Sequence, residues 1–139
     1  MAVHSSALYT KLDTNKYLGD TRDRGGRLVP IPFEHTAASD TTSDTVLLCT
    51  IPANCEVVSL ECITDGMGTS VTIAIGDSGD IDRLMVATAM AASGNRGTLA
   101  ITGMRYRPSA DVTVYATIAG ANFTDAKIFK GTITIVPGA

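Results

Sequence analysis

The sequence contains no tryptophan, and aromatic residues make up only 5% of its 139 positions. That shortage weighs against a carbohydrate-binding surface, which draws on exposed Trp and Tyr as stacking platforms. It also weighs against an enzyme with a deep aromatic pocket. Histidine occurs only as His4 and His35, so a Ser–His–acid triad has just two possible bases. Cysteine occurs three times, at 49, 55 and 62; the odd number and wide spacing fit neither a disulfide framework nor a CxxC metal site. Cys49 and Cys62 fall inside apolar strands, where a free thiol acts as a small hydrophobe, and folding in a reducing cytoplasm is the expectation. A basic surplus is missing too: the net charge is −3 and the pI about 5.2, against a nucleic-acid partner. No run of about 18 apolar residues occurs and the N-terminus has no apolar signal-like core, so neither membrane insertion nor signal-directed secretion is expected.

What the sequence does have is strands. Val46-Leu47-Leu48-Cys49-Thr50-Ile51 is cut by Pro52-Ala53-Asn54. Cys55 to Ile63 follows, then a break at Asp65-Gly66-Met67-Gly68, then Ser70-Val71-Thr72-Ile73-Ala74-Ile75. These are β-branched runs separated by turn residues, the spacing of sequential antiparallel strands. In the second run Val58, Leu60 and Cys62 share a face; in the third Val71, Ile73 and Ile75 alternate with Ser70, Thr72 and Ala74. Half-buried alternation of this kind suits two packed sheets.

The rest of the chain extends the pattern. Arg27 to Phe33 carries prolines at 30 and 32, which have no N–H for a ladder and confine the segment to a sheet edge. Residues 37–44 form a polar loop. Gly76 to Asp80 reads as a tight turn. Arg83 to Ala87 reads as a short strand, with two helical turns over Met85 to Ala92 as the alternative and Ser93-Gly94-Asn95 as a break. Thr98 to Ile101, Val112 to Ile118 and Lys127 to Val136 complete about eight strands with short turns. The expected fold is an all-β, antiparallel, jelly-roll-like sandwich over residues 27–139.

Residues 1–26 differ. Apolar residues are sparse, charges interleave, and Gly25-Gly26 closes the segment. Two readings stand: a frayed tail, or an extended arm that orders on a neighbouring subunit. In the second, Tyr9, Leu12, Tyr17 and Leu18 are the anchors, with Lys11, Lys16, Arg22 and Arg24 as its basic groups. Extended, the segment spans roughly 85 Å. Charge is uneven beyond it as well. Residues 37–82 hold eight acidic groups and no Lys or Arg, and residues 83–139 hold six basic and two acidic groups. Such a split suits either head-to-tail subunit contact or a plain solvated surface.

Chemical motifs are few. Gly76-Asp77-Ser78-Gly79 matches the short signature around a serine-protease nucleophile, but both histidines lie in unpromising stretches; a β-turn explains it better. Asp77, Asp80 and Asp82 with Ser78 offer oxygens for a weak structural ion, without the Gly and Glu of an EF-hand loop. Arg105-Tyr106-Arg107-Pro108 interleaves base and aromatic as single-strand binders do, yet one such tetrad in an acidic chain reads as a loop or strand end. Asn122-Phe123-Thr124 fits a glycosylation acceptor with no secretory signal to use it. No pair of carboxylates stands out as acid and base. No enzyme activity and no cofactor are expected.

Thr45 to Ala53, Val71 to Leu84 and Ile128 to Ile135, about residues 45–136 together, resemble the capsid decoration, or cement, proteins of tailed bacteriophages. The resemblance implies a β-sandwich, often a homotrimer, bound on the outer shell between subunits of the major capsid protein. It implies a virion protein of the capsid surface, made in the host cytoplasm, whose task is mechanical. Another virion part (tail, fibre base or head completion) or a non-enzymatic ligand-binding sandwich are the other readings.

Overall fold

The computed structural model describes residues 3–5 and 28–137. Nine strands run through them: β1 (Val3–Ser5), β2 (Val29–Thr36), β3 (Thr45–Ile51), β4 (Glu56–Asp65), β5 (Thr72–Asp77), β6 (Asp80–Ala89), β7 (Ser93–Thr98), β8 (Val112–Ala119) and β9 (Ile128–Val136). They form two sheets, ordered β1-β3-β8-β5-β6 and β2-β9-β4-β7. From β2 to β9 the chain crosses between the sheets at every connection except the β5–β6 hairpin. All pairings within this set are antiparallel. This is the eight-stranded jelly roll that the alternation predicts. No helix occurs among the described residues.

Side-chain alternation explains why each strand lies where it does. In β2, Ile31, Phe33 and His35 are buried while Pro30, Pro32, Glu34 and Thr36 are exposed. β2 is an edge strand, as its prolines require. At one end of the core the Phe129 ring of β9 packs against Phe33 and His35 of neighbouring β2 and against Phe123 of the loop before β9, at centroid distances of 6.3, 5.7 and 5.9 Å. Val46, Leu48, Ile51, Ile73, Ile75 and Ile118 of the other sheet are part of the same core, each fully buried.

Three expectations are corrected. Val58 does not share the inward face of β4: a register shift between Val57 and Ser59 turns Val57 inward and leaves Val58 half-buried, as a bulge does. Met85 to Ala92 is not helical, because the hairpin that pairs Asp77 with Asp80 carries β6 on to Ala89. Ser93-Gly94-Asn95 does not break the sheet but opens edge strand β7, which ends at Thr98, while Leu99 to Ile101 leaves the sheet for a turn. The sequence of β7 is poor in side chains that pack; Met85 and Met90 supply the missing volume over Gly97.

The topology gives the sandwich two unlike ends. Loops 37–44, 66–71, 90–92 and 120–127 gather at one end. Backbone bonds knit them together: Ala37 N–H to Lys127 O, Ala126 N–H to Ala37 O, Thr124 N–H to Met67 O and Met67 N–H to Met90 O. Loops 52–55, 78–79 and 99–111 gather at the other, where β2 starts and β9 finishes. β1 lies within the segment read as an arm. It adds to the β3 edge in parallel, Val3 opposite Thr45 and Ser5 opposite Leu47.

Candidate functional site

The second end is organised by the hairpin turn. Asp77 closes β5, Ser78-Gly79 makes the two-residue loop, and Asp80 opens β6. The Asp77 side chain folds back on its own turn: Oδ1 accepts from the N–H groups of Gly79 at 2.9 Å and Asp80 at 3.0 Å. This is the local capping that Asp provides in turns. Oδ2 accepts from Arg83 Nε at 2.9 Å and from the Tyr106 hydroxyl at 3.1 Å. The Tyr115 hydroxyl donates to the Asp77 carbonyl at 3.0 Å. Burial by itself would raise the Asp77 pKa, but the bonds from Arg83, the Asp80 and Gly79 N–H groups and Tyr106 outweigh it and hold the carboxyl below its ordinary value. Burial and the Asp77 charge together raise the hydroxyls of Tyr106 and Tyr115.

Around this hub the loop 99–111 is fastened to both sheets. Ala100 N–H bonds Leu84 O at 2.7 Å and the Thr102 hydroxyl bonds Arg83 O at 2.8 Å, tying the loop to β6. Val57 N–H bonds Tyr106 O and Arg105 N–H bonds Val57 O, both at 2.9 Å, tying it to β4. Arg105 Nε donates to Glu56 Oε1 at 2.8 Å, with Arg107 near Oε2 at 3.6 Å. Arg83 also lies over the Tyr106 ring, 4.5 Å from its centroid. The tetrad Arg105 to Pro108 is therefore a brace between β4, β6 and the hairpin.

Gly103 lets the turn 101–105 lie flat on β6. A Cβ there would stand 2.8 Å from Arg83 O and 3.0 Å from Leu84 Cα. With its backbone pressed inward, the turn points Ile101 and Met104 to solvent, 92% and 53% exposed. Ile81 (51%) follows the hairpin and Leu28 (63%) precedes β2 at the same end. Among the described residues the remaining large exposed apolar side chain, Val86, sits midway along β6. Sequence reading missed this group, because Leu99-Ala100-Ile101 looks like strand and exposure is decided by the loop's anchors.

The other candidates separate. Ser78 is exposed at one end of the sandwich, while His35 is buried near the other, its Nε2 lying 2.7 Å from Asp40 Oδ2. The protease-like signature thus has no base beside it from His35. Asp77 is bound up by protein donors. A hydrogen bond shared with Asp80 raises the pKa of Asp82. Among the described residues no group of three or more His, Cys, Asp or Glu side chains is placed to hold a metal ion. Asn122 Oδ1 accepts from Thr42 N–H at 2.9 Å and braces the first end. Tyr9, Lys11, Leu12, Lys16, Tyr17, Leu18, Arg22 and Arg24 lie outside the described residues.

One shallow depression, about 610 Å³, crosses the outer face of the four-stranded sheet. Register sets a row of Glu34, Lys130, Ile63 and Arg96 across it. One acidic and two basic side chains around a half-buried isoleucine make this a solvated sheet face.

No family model matches the chain, and no curated protein matches it in sequence. Solved structures do match in fold. A chain in the capsid of Ralstonia phage GP4 superposes with a TM-score of 0.79 at 18% identity, covering 99% of both chains. A chain in the capsid asymmetric unit of cyanophage Pam1 gives 0.64 at 19% identity, over 81% of this chain and 87% of that one. A chain in the acidic stable capsid structure of Helicobacter pylori bacteriophage KHP30 gives 0.60 at 14% identity, over 82% and 92%.

Proposed function

We propose that this protein is a structural component of a bacteriophage virion that decorates and stabilises the capsid, seated on its surface between major capsid subunits as a homotrimer. The observation that carries the reading is the end-to-end likeness to a chain of a phage capsid, 99% of each chain at a TM-score of 0.79. The interior supports it. The hydrogen-bonded polar groups of the second end lock loops to sheets, an arrangement that keeps a block rigid.

The mechanism is mechanical. A rigid sandwich fills the valley between capsomers, and the arm, through Tyr9, Leu12, Tyr17, Leu18 and its Lys and Arg residues, reaches a neighbouring chain. Each subunit adds a modest interface, and many copies together resist the pressure of packaged DNA. The protein is made in the host cytoplasm and ends on the capsid surface.

The test is sedimentation of the purified full chain with expanded shells that lack it, together with its copy number in finished particles. Saturable binding and hundreds of copies are expected; a few copies per particle would assign it to a tail or a head-completion part. Light scattering of the free protein should give the mass of a trimer. A chain starting at Gly26 should bind shells more weakly, and equal binding would remove the arm from the mechanism.

A further inference from the structure

The outer face of the four-stranded sheet, solvated in the single chain, carries charges that the chain itself leaves unused. Register places two rows side by side on it: Glu34, Lys130, Ile63 and Arg96 in one, and Pro32, Thr132, Glu61 and Thr98 in the other. Glu34, Glu61, Arg96 and Lys130 are all exposed. None of the four makes an ion pair with a described residue, although Glu34 stands opposite Lys130 in the ladder. Arg83, Arg105 and Arg107, by contrast, all lie on carboxylates of their own chain. The four charged residues and Ile63 line the depression of about 610 Å³ on this face, which leaves room for facing side chains.

The pattern of charge says what fits there. Two acids and two bases sum to zero, so the face does not repel a copy of itself, whereas a face of one sign would call for a partner of the other. A two-fold axis running along the strands, between β9 and β4, reverses the strand order: β2 comes to face β7 of the second copy, and β9 to face β4. Glu34 then meets Arg96 of the second copy, and Glu61 of the second copy stands beside Lys130, each pair occurring twice. The stem of Lys130 covers the facing Ile63. An axis across the strands through the same row would instead set Glu34 on Glu34 and Arg96 on Arg96. Stacked sheets keep their strands nearly aligned and lie about 10 Å apart, a gap that a Glu and an Arg meeting end to end can span.

We infer that this face is a contact between two copies of the chain, made by Glu34 on Arg96 and by Lys130 beside Glu61. A two-fold contact does not close a ring of three, so under the decoration function proposed above the two copies belong to neighbouring trimers; the contact itself does not need that function. Exposed ion pairs contribute little singly. Free protein therefore associates weakly through this face, and an array on one surface gains from repetition.

The experiment is sedimentation equilibrium of the full chain at low salt over rising concentration. The wild type should grow beyond its low-concentration mass and fall back in high salt, which screens exposed pairs. Glu34→Arg and Arg96→Glu each put like charges face to face and should weaken this association at least about tenfold. Mixed together, the two single variants should associate as the wild type does, because each supplies the charge that the other has lost. Both variants remain net negative, the chain starting from −3, so recovery in the mixture is not bulk attraction. Thermal melting confirms that each variant is folded. No self-association of the wild type up to millimolar concentration, unchanged association of the single variants, or no recovery in the mixture each overturns the inference. Binding to expanded shells is measured alongside. If the wild type self-associates in this pattern but does not bind shells, decoration fails and the contact stands; if it binds shells yet never self-associates, decoration stands and the contact fails.

Discussion

The Tyr106 hydroxyl donates to Asp77 Oδ2 at 3.1 Å, across 29 residues of sequence. The same oxygen takes the Arg83 Nε bond. The carboxylate of one turn thus holds the loop that presents Ile101 and Met104.

Removing that carboxylate should loosen the whole end. Asp77→Ala strands Arg83, the Tyr106 hydroxyl and two backbone N–H groups, and should cost about 2–4 kcal/mol. Asp77→Asn keeps the turn acceptor and should cost about 1–2 kcal/mol. The pH dependence follows from the lowered folded-state pKa. A depressed carboxyl binds its proton less readily in the folded chain than in the unfolded one, whose value is about 3.9. Its stabilisation is therefore complete above about pH 5 and is lost as the pH falls through the folded value. Urea unfolding of the wild type and Asp77→Asn between pH 3 and 7 should show the gap closing toward acid. A gap independent of pH would contradict the ion-pair account.

The three thiols should be silent in the folded chain. Cys49, Cys55 and Cys62 are all free and buried. Burial pushes the Cys49 and Cys62 thiols up to about 12, so little reactive thiolate forms near neutral pH. A disulfide-exchange reagent at pH 8 should label Cys49 and Cys62 only at the rate of unfolding, and rapidly in denaturant. Fast labelling of either site in native buffer would mean that the core opens more readily than its packing implies.

Where the chain repeats a simple period, its sequence announces the structure. Val71, Ile73 and Ile75 point inward as their spacing says, and Pro30 and Pro32 place β2 at an edge. Where packing comes from elsewhere in the chain, local pattern fails. β7 is a strand because it pairs with β4 from Glu61 to Asp65, partners that the local pattern around Ser93 does not contain. Val58 turns aside because of a bulge against β9. The Asp-rich turn at 77–80 is legible as a turn, but Arg83 and Tyr106 become its partners only once the sheets are wrapped. Ile101 is exposed for the same reason: its loop is anchored through Ala100, Thr102 and Gly103, and only the anchors decide which side faces water.

Gly131 tests the register of the central pair. A Cβ at this position would run into the Glu61 carbonyl and lie 2.8 Å from the Phe33 ring. Backbone on one side and a core aromatic on the other leave no cheap way to yield. Gly131→Ala should destabilise by about 1–3 kcal/mol, the usual range for overpacking. Chemical denaturation gives the value, and a neutral result would mean that β4 and β9 separate more easily than their pairing suggests. Gly94→Ala is the informative contrast: a Cβ there meets nothing within 4 Å, and only its φ of +86° resists the change, so the cost should stay nearer 1 kcal/mol.

The β3 edge supplies the last prediction. β3 carries Val46, Leu48 and Ile51 with buried side chains, and its neighbours are β8 on one side and β1 on the other. β1 covers it only from Thr45 to Leu47. An uncovered apolar edge invites pairing with another chain. Deleting residues 1–5 should therefore have two effects. Hydrogen exchange should quicken for the β3 amides that face away from β8, while the β8-facing amides keep their protection. Light scattering should show greater self-association at high protein concentration, because the bared edge is now free to pair. If exchange at Thr45–Leu47 is the same with and without residues 1–5, β1 does not hold that edge in solution. If exchange quickens but the protein stays as dispersed as before, the edge is protected from aggregation by something other than its cover.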